Sequence, residues 1–144
     1  MQVEIRRVDS YNDERAVISA VTVTDEIQSA IDILEKNCRS IMVIGSEGNV
    51  LCRTDRIYYA ESVDKRTYIY TKDGCFETKY RLYELEEVLT SNFFRASKAM
   101  IVNMRKIKSV KAELNGRMTA ELINGEKVVI ARSYVKVLKE RLGI

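Results

Sequence analysis

Five cations lie close together in one short stretch of this 144-residue chain, and no acid lies among them. They are Arg95, Lys98, Arg105, Lys106 and Lys108, and neither Asp nor Glu occurs between Arg95 and Ala112. Apolar residues alternate with these charges, so the stretch can anchor itself in a core while its cations face outward. Phosphate is the anion such a surface suits, because neutralising phosphates releases counterions and gives affinity without regard to sequence. The alternative is an edge strand whose lysines only prevent aggregation.

Other kinds of chemistry are poorly supplied. The chain has no histidine, which removes Ser-His and Cys-His nucleophilic machinery and imidazole zinc sites. Cys38, Cys52 and Cys75 are odd in number and form no Cys-x-x-Cys pair, which predicts reduced, mostly buried thiols in a cytoplasmic protein. No glycine-rich phosphate loop occurs, and Glu86-Glu87 fits a solvated helix face. We therefore predict no enzyme, no metal and no cofactor.

The positive charge belongs to the C-terminal part. Residues 1–42 contain 5 Lys and Arg against 8 Asp and Glu, a net charge of −3. Residues 43–144 contain 19 against 13, a net charge of +6, and together they give the chain's +3. An excess of this size is compatible with binding to nucleic acid without requiring it.

The length suits one domain with a modest extension. We place the extension at residues 1–42 and the domain at residues 43–144. No apolar run is long enough to span a bilayer, and the N-terminal residues are too charged for a signal peptide.

The extension is predicted to be a small α+β segment. Residues 3–8 alternate as in a strand, residues 9–13 have turn chemistry, and residues 15–23 suit either a strand or the entry to a helix. Thr24 can cap a helix that runs through Leu34 and stops at Asn37. The apolar residues at helical spacing, which predict its buried stripe, are Ile27, Ala30, Ile31 and Leu34. We interpret this segment as a lid or a dimer surface.

The remainder alternates mostly as short strands. Hairpins are predicted from residues 41–53, 57–71 and 107–130, with a strand at 75–79 and short helices at 82–89 and from Tyr134 to Leu142. Asn124-Gly125 is a strong hairpin signal. The tyrosines of these strands alternate in phase with aliphatic residues, so we favour packing over stacking on bases for them.

Four motifs, in order, resemble a LytTR-type DNA-binding domain from about Gly45 to the C terminus. They are Ile57-Tyr58-Tyr59-Ala60-Glu61-Ser62, Arg81-Leu82-Tyr83-Glu84-Leu85-Glu86, Phe94-Arg95-Ala96-Ser97-Lys98-Ala99-Met100-Ile101-Val102-Asn103 and Ala131-Arg132-Ser133-Tyr134. The chain departs from the family pattern at three positions. Ser97 stands where many members have His, and Ala99 and Ala131 stand where they have Ser.

The resemblance implies a mainly β fold with short helices, built of antiparallel sheets in an elongated form, that binds DNA through loops. The residues it implicates in DNA binding are Lys65, Arg66, Thr67, Arg95, Ser97, Lys98, Arg105, Arg132, Ser133 and Lys136. Arg66 and Arg132 are expected to read bases, because Arg can grip guanine with two hydrogen bonds. The lysines with Arg95 and Arg105 are expected to hold phosphates. Asn103 is expected to close a turn, and Phe93 or Phe94 to lie in the core.

The function implied is sequence-specific transcriptional regulation. Two protomers, forming a homodimer, would occupy direct-repeat promoter sites on double-stranded DNA, with loops in successive major grooves. The alternative is a protein-interaction module whose basic surface docks an acidic partner. The resemblance is to stand-alone regulators without a receiver domain, so a small integral-membrane regulatory protein is a further partner class, with residues 1–42 as its contact.

Overall fold

The computed structural model describes residues 1–9, 13, 15–36 and 40–144, with the Lys36 side chain excepted. Within them the chain forms ten strands and three helices. The strands are β1 (Ser40–Gly45), β2 (Gly48–Arg53), β3 (Ile57–Val63), β4 (Arg66–Thr71), β5 (Gly74–Thr78), β6 (Phe93–Ser97), β7 (Met100–Asn103), β8 (Ile107–Ala112), β9 (Met118–Leu122) and β10 (Lys127–Ile130). The helices are α1 (Asp25–Lys36), α2 (Leu82–Val88) and α3 (Arg132–Leu142). The predicted mainly β fold with short helices is confirmed.

The strands form two antiparallel sheets. A seven-stranded sheet has the order β2-β1-β5-β4-β3-β7-β6, and a three-stranded sheet has the order β10-β9-β8. Two short 3₁₀ turns, Thr54–Arg56 and Met104–Lys106, lead into β3 and β8. Because successive strands pair as hairpins, each turn lies at a sheet end, where its side chains can reach solvent.

Alternation along the strands creates two apolar cores. One face of β1, β3 and β4 meets α2, and this core includes Ile57, Ile69 and Leu85. The second core joins β6, β7 and the three-stranded sheet to α3, and it includes Leu122 and Leu138. Phe93 lies in the first core and Phe94 in the second, which confirms that both phenylalanines are core residues.

The N-terminal segment is mostly exposed and differs from the prediction. Thr24 begins α1 as expected, since its Oγ1 accepts the Ile27 N–H at 3.3 Å. Residues 3–8 and 15–23 form neither strand nor helix, because no partner strand completes a ladder with them within the described residues. Of the predicted stripe, Ile27 and Ile31 are only half-buried, and Leu34 is exposed. The predicted domain boundary after residue 42 falls inside β1.

Two further expectations concern residues whose structure is partly undescribed. The turn at residues 9–13 falls mostly outside the described residues, as do Asn37 with the predicted helix stop and Cys38.

Cys52 is half-buried and burial raises the pKa of its thiol, as expected for a packed cysteine. Cys75 is exposed, so the prediction of mostly buried thiols is wrong for this residue.

Tyr59 and Tyr70 stack on neighbouring strands β3 and β4, with ring centroids 4.3 Å apart. Burial is the main cause that raises the pKa of Tyr70 to about 12 and raises that of Tyr59 as well. Both phenols are therefore neutral at physiological pH. The stacking is internal to the sheet, in agreement with packing as the role of these tyrosines.

Candidate nucleic-acid interface

The turn between β3 and β4 presents Lys65 and Arg66, both exposed to solvent. Asp64 and Lys65 have φ values of 50° and 66°, the left-handed region that side chains other than Gly, Asn and Asp rarely occupy. Glycine would relieve this strain at position 65, so the lysine there costs stability. Arg66 forms an ion pair with Glu77 of β5, with 3.9 Å between Nη1 and Oε2, which is too long for a hydrogen bond. The Arg66 side chain is 66% exposed, so a ligand can still reach it.

The turn between β6 and β7 presents Lys98, which is exposed. Arg95 holds this turn in place, because its guanidinium donates to the backbone carbonyls of Ser97 and Lys98 at 2.9 Å each. The same guanidinium lies 3.2 Å from Glu86 of α2. These internal contacts make Arg95 a positioning residue for the turn, and its phosphate contact stays a prediction.

Ser97 also serves the turn, since its Oγ accepts the Ala99 N–H at 3.2 Å. The Ser97 hydroxyl is half-buried and can still donate one hydrogen bond. Lys98 is therefore the cation that this turn offers to a ligand.

Helix α3 begins at Arg132, and Ser133 and Lys136 follow on its exposed surface. A cation in the first helical turn is unfavourable to the helix dipole, so helix stability does not account for Arg132. The Arg132 side chain passes directly over Gly116 in the turn between β8 and β9. A Cβ at Gly116 would come within 2.7 Å of Arg132 Cδ. The β8–β9 turn therefore packs against the Arg132 side chain and limits its positions.

Backbone hydrogen bonds join these three elements at one end of the molecule. The Ser62 N–H, beside the β3–β4 turn, donates to the Ala99 carbonyl in the β6–β7 turn at 2.8 Å. The Ala131 N–H, directly before α3, donates to the Ala96 carbonyl of β6 at 2.8 Å. Lys65, Lys98 and Arg132 are thus presented from adjoining backbone, and we call these three with Arg66, Ser133 and Lys136 the basic end.

Two of the predicted residues present no free side chain at the basic end. Thr67 follows Arg66 in β4, between β3 and β5, and is only 4 % exposed. Arg105 lies beyond the far end of β7, roughly 20 Å from the β6–β7 turn at the rise of an extended chain. Its guanidinium is 2.7 Å from Asp32 and 2.9 Å from Glu35 of α1, so it ties α1 to the domain, and its phosphate contact stays a prediction.

Asn103 organises that far end. Asn103 is 1 % exposed, and its Nδ2 donates to the Ile57 carbonyl at 2.9 Å. Its Oδ1 accepts two hydrogen bonds, from the Arg105 N–H at 3.0 Å and from the Asn92 side-chain amide at 2.7 Å. The prediction that Asn103 is structural and closes the turn is confirmed. A cavity of about 300 Å³ opens beside it and is lined by acids and bases together, including Asp55 and Lys106.

Neither the contact of Gly116 with Arg132 nor the positioning role of Arg95 is predictable from the local sequence. Gly116 has φ +83°, and the Leu-Asn-Gly sequence that contains it signals a turn. That signal locates the turn without revealing that it underlies Arg132. Arg95 carries no local signal that distinguishes a clamp from a phosphate ligand.

None of the helices in the described part of the chain has the length and apolar character needed to cross a bilayer. The comparisons with known proteins are specific. The sequence profile of the LytTr DNA-binding domain matches residues 47–143. Two Staphylococcus aureus proteins from different strains are 32% identical to this chain over an alignment of 145 residues. The alignment covers 99% of this chain and 95% of each relative. Each relative is described as an uncharacterized HTH-type transcriptional regulator.

A solved structure is similar as well. It is the LytTr DNA-binding domain of a Bacillus cereus protein described as a methyl-accepting/DNA response regulator, at a TM-score of 0.69 and 26% identity, covering 73% of this chain and 97% of that one. The sequence profile, the full-length relatives and the shared fold agree. This chain belongs to the LytTR family of DNA-binding domains.

Proposed function

We propose that this protein is a transcriptional regulator that binds duplex DNA sequence-specifically through its basic end. The observation that carries the proposal is that Lys65 and Lys98, on two turns, and Arg132, at the start of α3, stand on elements that backbone hydrogen bonds join. Arg132 and Arg66 read base edges, and the lysines register on phosphates. The family membership and the names of the relatives support the same function, and such a regulator acts in the cytoplasm, where bacterial DNA lies.

In this proposal the basic end contacts successive major grooves on one face of the double helix. The β3–β4 turn enters one groove, the β6–β7 turn lies at the intervening backbone, and Arg132 enters the next groove. Two protomers occupy half-sites arranged as a direct repeat. Half-sites one helical turn apart, about 34 Å, place the two protomers on the same face of the DNA.

Selection from a random duplex pool tests DNA binding and repeat spacing together. We expect the wild-type protein to enrich one motif in two copies of the same orientation. The variant Lys65→Ala/Lys98→Ala/Arg132→Ala should enrich none. The matched control Lys72→Ala/Lys127→Ala/Lys139→Ala also removes three exposed cations, from the opposite end of the strands and of α3, and should enrich the wild-type motif. Equal loss in both variants would refute a localised interface.

Lys98→Ala should weaken binding to all sequences alike, because a phosphate contact carries no sequence information. The slope of log affinity against log salt should become shallower by about one unit. Titration of labelled duplexes at several salt concentrations measures this slope. Lys127→Ala, which removes an exposed lysine at the other end, should leave it unchanged, and a changed motif preference in Lys98→Ala would contradict the phosphate assignment.

Lys65→Gly should move stability and affinity in opposite directions. Glycine accepts the left-handed backbone at this position, so the free energy of unfolding should rise by about 1 kcal/mol. DNA affinity should fall, because a cation is lost from the basic end. Urea denaturation and DNA titration measure the two quantities separately. A gain in both, or a loss in both, would contradict a strained turn kept for its charge.

Gly116→Ala tests whether the β8–β9 turn directs Arg132. The new Cβ would meet Arg132 Cδ at 2.7 Å, and the flexible Arg side chain is what must move. DNA affinity should fall on the order of 3- to 10-fold, part of the full arginine contribution. The control is Gly125→Ala, where φ is +87° but no atom lies within 4 Å. Both variants should lose similar stability in a urea titration, and only Gly116→Ala should lose affinity.

A second candidate function concerns the N-terminal segment. Val3, Ile5, Val17 and Val21 are exposed apolar residues, and Ile33 is exposed on α1, a combination that favours contact with another protein. The resemblance suggests a small integral-membrane regulatory protein as its partner. Ile33→Asp should abolish a complex with such a protein, and the complex should persist at high salt. A complex that high salt dissolves would instead point to the basic end as the docking surface.

A further inference from the structure

Strand β2 lies at the outer edge of the seven-stranded sheet. It pairs with β1 along all six of its residues, and no other strand in the described part of the chain pairs with it. Its turn to β1 has two residues, flanked by the opposed pair Gly45 and Gly48. In such a hairpin the flanking pair exchanges backbone hydrogen bonds, and so does every second pair of residues further along the two strands. The backbone groups of Asn49, Leu51 and Arg53 therefore point away from β1 and meet no strand formed by the described residues.

This edge lacks the usual protection against pairing with another chain. Natural edge strands carry Lys or Pro, or are covered by other elements. The edge strand β8 carries Lys108 and Lys111, and β6 is covered by Arg141, which donates to its Phe93 carbonyl at 2.9 Å. Strand β2 contains neither Lys nor Pro. Its Leu51 is 67% exposed and its Val50 is 50% exposed, so the unprotected edge is also apolar.

The charges at the two ends of β2 identify a second copy of the same strand as the complementary partner. Glu47 precedes β2 in the turn and Arg53 ends it, and both are exposed. Within one copy Arg53 forms an ion pair with Asp55 through one guanidinium nitrogen at 3.1 Å, which leaves further N–H groups for a second carboxylate. An antiparallel pair of β2 strands centred on Val50 sets Glu47 of each copy opposite Arg53 of the other. A parallel pair would set like charges opposite each other. Opposite charges in cross-strand positions are stabilising and like charges are not.

Only some registers place the core faces of the two copies on the same side of the joined sheet. Two residues directly opposite each other in an antiparallel pair lie on the same face of the sheet. Val50 lies on the core face with Val43. A shift of one residue would therefore set Val50 opposite a residue of the outer face. The register centred on Val50 opposes Val50 to itself. It also lets Asn49 exchange backbone hydrogen bonds with Leu51 of the second copy.

We propose that, free of DNA, two copies of this protein pair antiparallel through β2, joining their seven-stranded sheets into one continuous sheet. This inference goes beyond the proposed function, which concerns only the protomers bound to DNA. The pair has two-fold symmetry, whereas half-sites in direct repeat require two protomers in the same orientation. The edge pair is therefore the DNA-free form, and each protomer engages its half-site after the pair separates.

Charge reversal followed by mixing tests the proposal. Sedimentation equilibrium of the wild type should give twice the chain mass of 16.6 kDa as concentration rises. In a dimer of Glu47→Lys, each new Lys lies opposite Arg53 of the other copy. In a dimer of Arg53→Glu, each new Glu lies opposite Glu47 of the other copy. Each variant therefore has two repulsive contacts and should weaken the dimer about 10-fold or more. Mixed in equal amounts, the two variants should form a heterodimer, because both oppositions become attractive again.

Further variants test the edge without depending on charge. Leu51→Lys should give a monomer, whereas Val129→Lys, at a half-exposed valine on β10 of the other sheet, should remain dimeric. Circular dichroism of each variant confirms its folding. A wild type of single-chain mass at all concentrations, or a dimer unaffected by Leu51→Lys, would overturn the proposal. A monomer that still selects its DNA motif would overturn only this inference, and a dimer that selects none would overturn only the proposed function.

Discussion

Arg132→Ala should reduce affinity for the selected DNA site about 5- to 150-fold, which corresponds to about 1–3 kcal/mol. The loss should relax the preference at one base position, because a bidentate contact to guanine is removed. Arg132 begins α3, where a cation opposes the helix dipole, so the free energy of unfolding should stay the same or rise slightly. A binding defect without a folding defect is the expected signature.

Two companion variants sharpen this result. Arg132→Lys keeps the charge and loses the planar fork, so it should recover part of the affinity and none of the base preference. Lys139→Ala removes an exposed cation from the last turn of the same helix and should match the wild type. Competition titrations against duplexes changed at single positions measure both quantities. Unchanged specificity in Arg132→Ala would remove Arg132 from base reading.

Asn103→Ala should lower the free energy of unfolding by about 3 kcal/mol. The substitution leaves the Ile57 carbonyl, the Arg105 N–H and the Asn92 amide without their partner in a buried site, and each unmet group costs on the order of 1–3 kcal/mol. Urea denaturation followed by circular dichroism measures the change. The lost contacts join the start of β3 to the end of β7, so this end of the seven-stranded sheet should loosen.

The chain contains a matched control for this substitution. Asn124 makes the same local bond as Asn103, since its Oδ1 accepts the N–H two residues on, from Glu126 at 3.0 Å. Asn124 is exposed and makes no tertiary hydrogen bond within the described residues. Asn124→Ala should therefore cost about 1 kcal/mol or less. Equal losses in the two variants would show that Asn103 acts only within its own turn.

Much of the fold was predictable because it is local. Strands β1, β9 and β10 follow the two-residue alternation of buried and exposed positions, and Asn124-Gly125 marks its hairpin because that pair accepts the backbone of a tight turn. The predicted N-terminal strand at residues 3–8 was wrong for the opposite reason. Alternation permits a strand, but a strand needs a neighbour to complete its hydrogen bonds, and none of the described residues provides one.

The candidate site was predictable only in part. Lys65, Lys98 and Arg132 were identified as cations at turns, which chain position and the family resemblance can indicate. Whether a cation is free depends on distant acids, as Arg105 illustrates by pairing with Asp32, which is 73 residues away in the sequence. Arg95 was likewise taken up by carbonyls that only the folded β6–β7 turn brings within its reach.

The sequence by itself determined the order of the elements, the family, and the concentration of positive charge in turns, because periodicity, turn residues and composition are properties of neighbouring positions. Only the tertiary structure decided which cations share one end, which are neutralised internally, and which strand edge is left open. Those outcomes depend on distances between residues far apart along the chain, and packing of the two cores sets these distances.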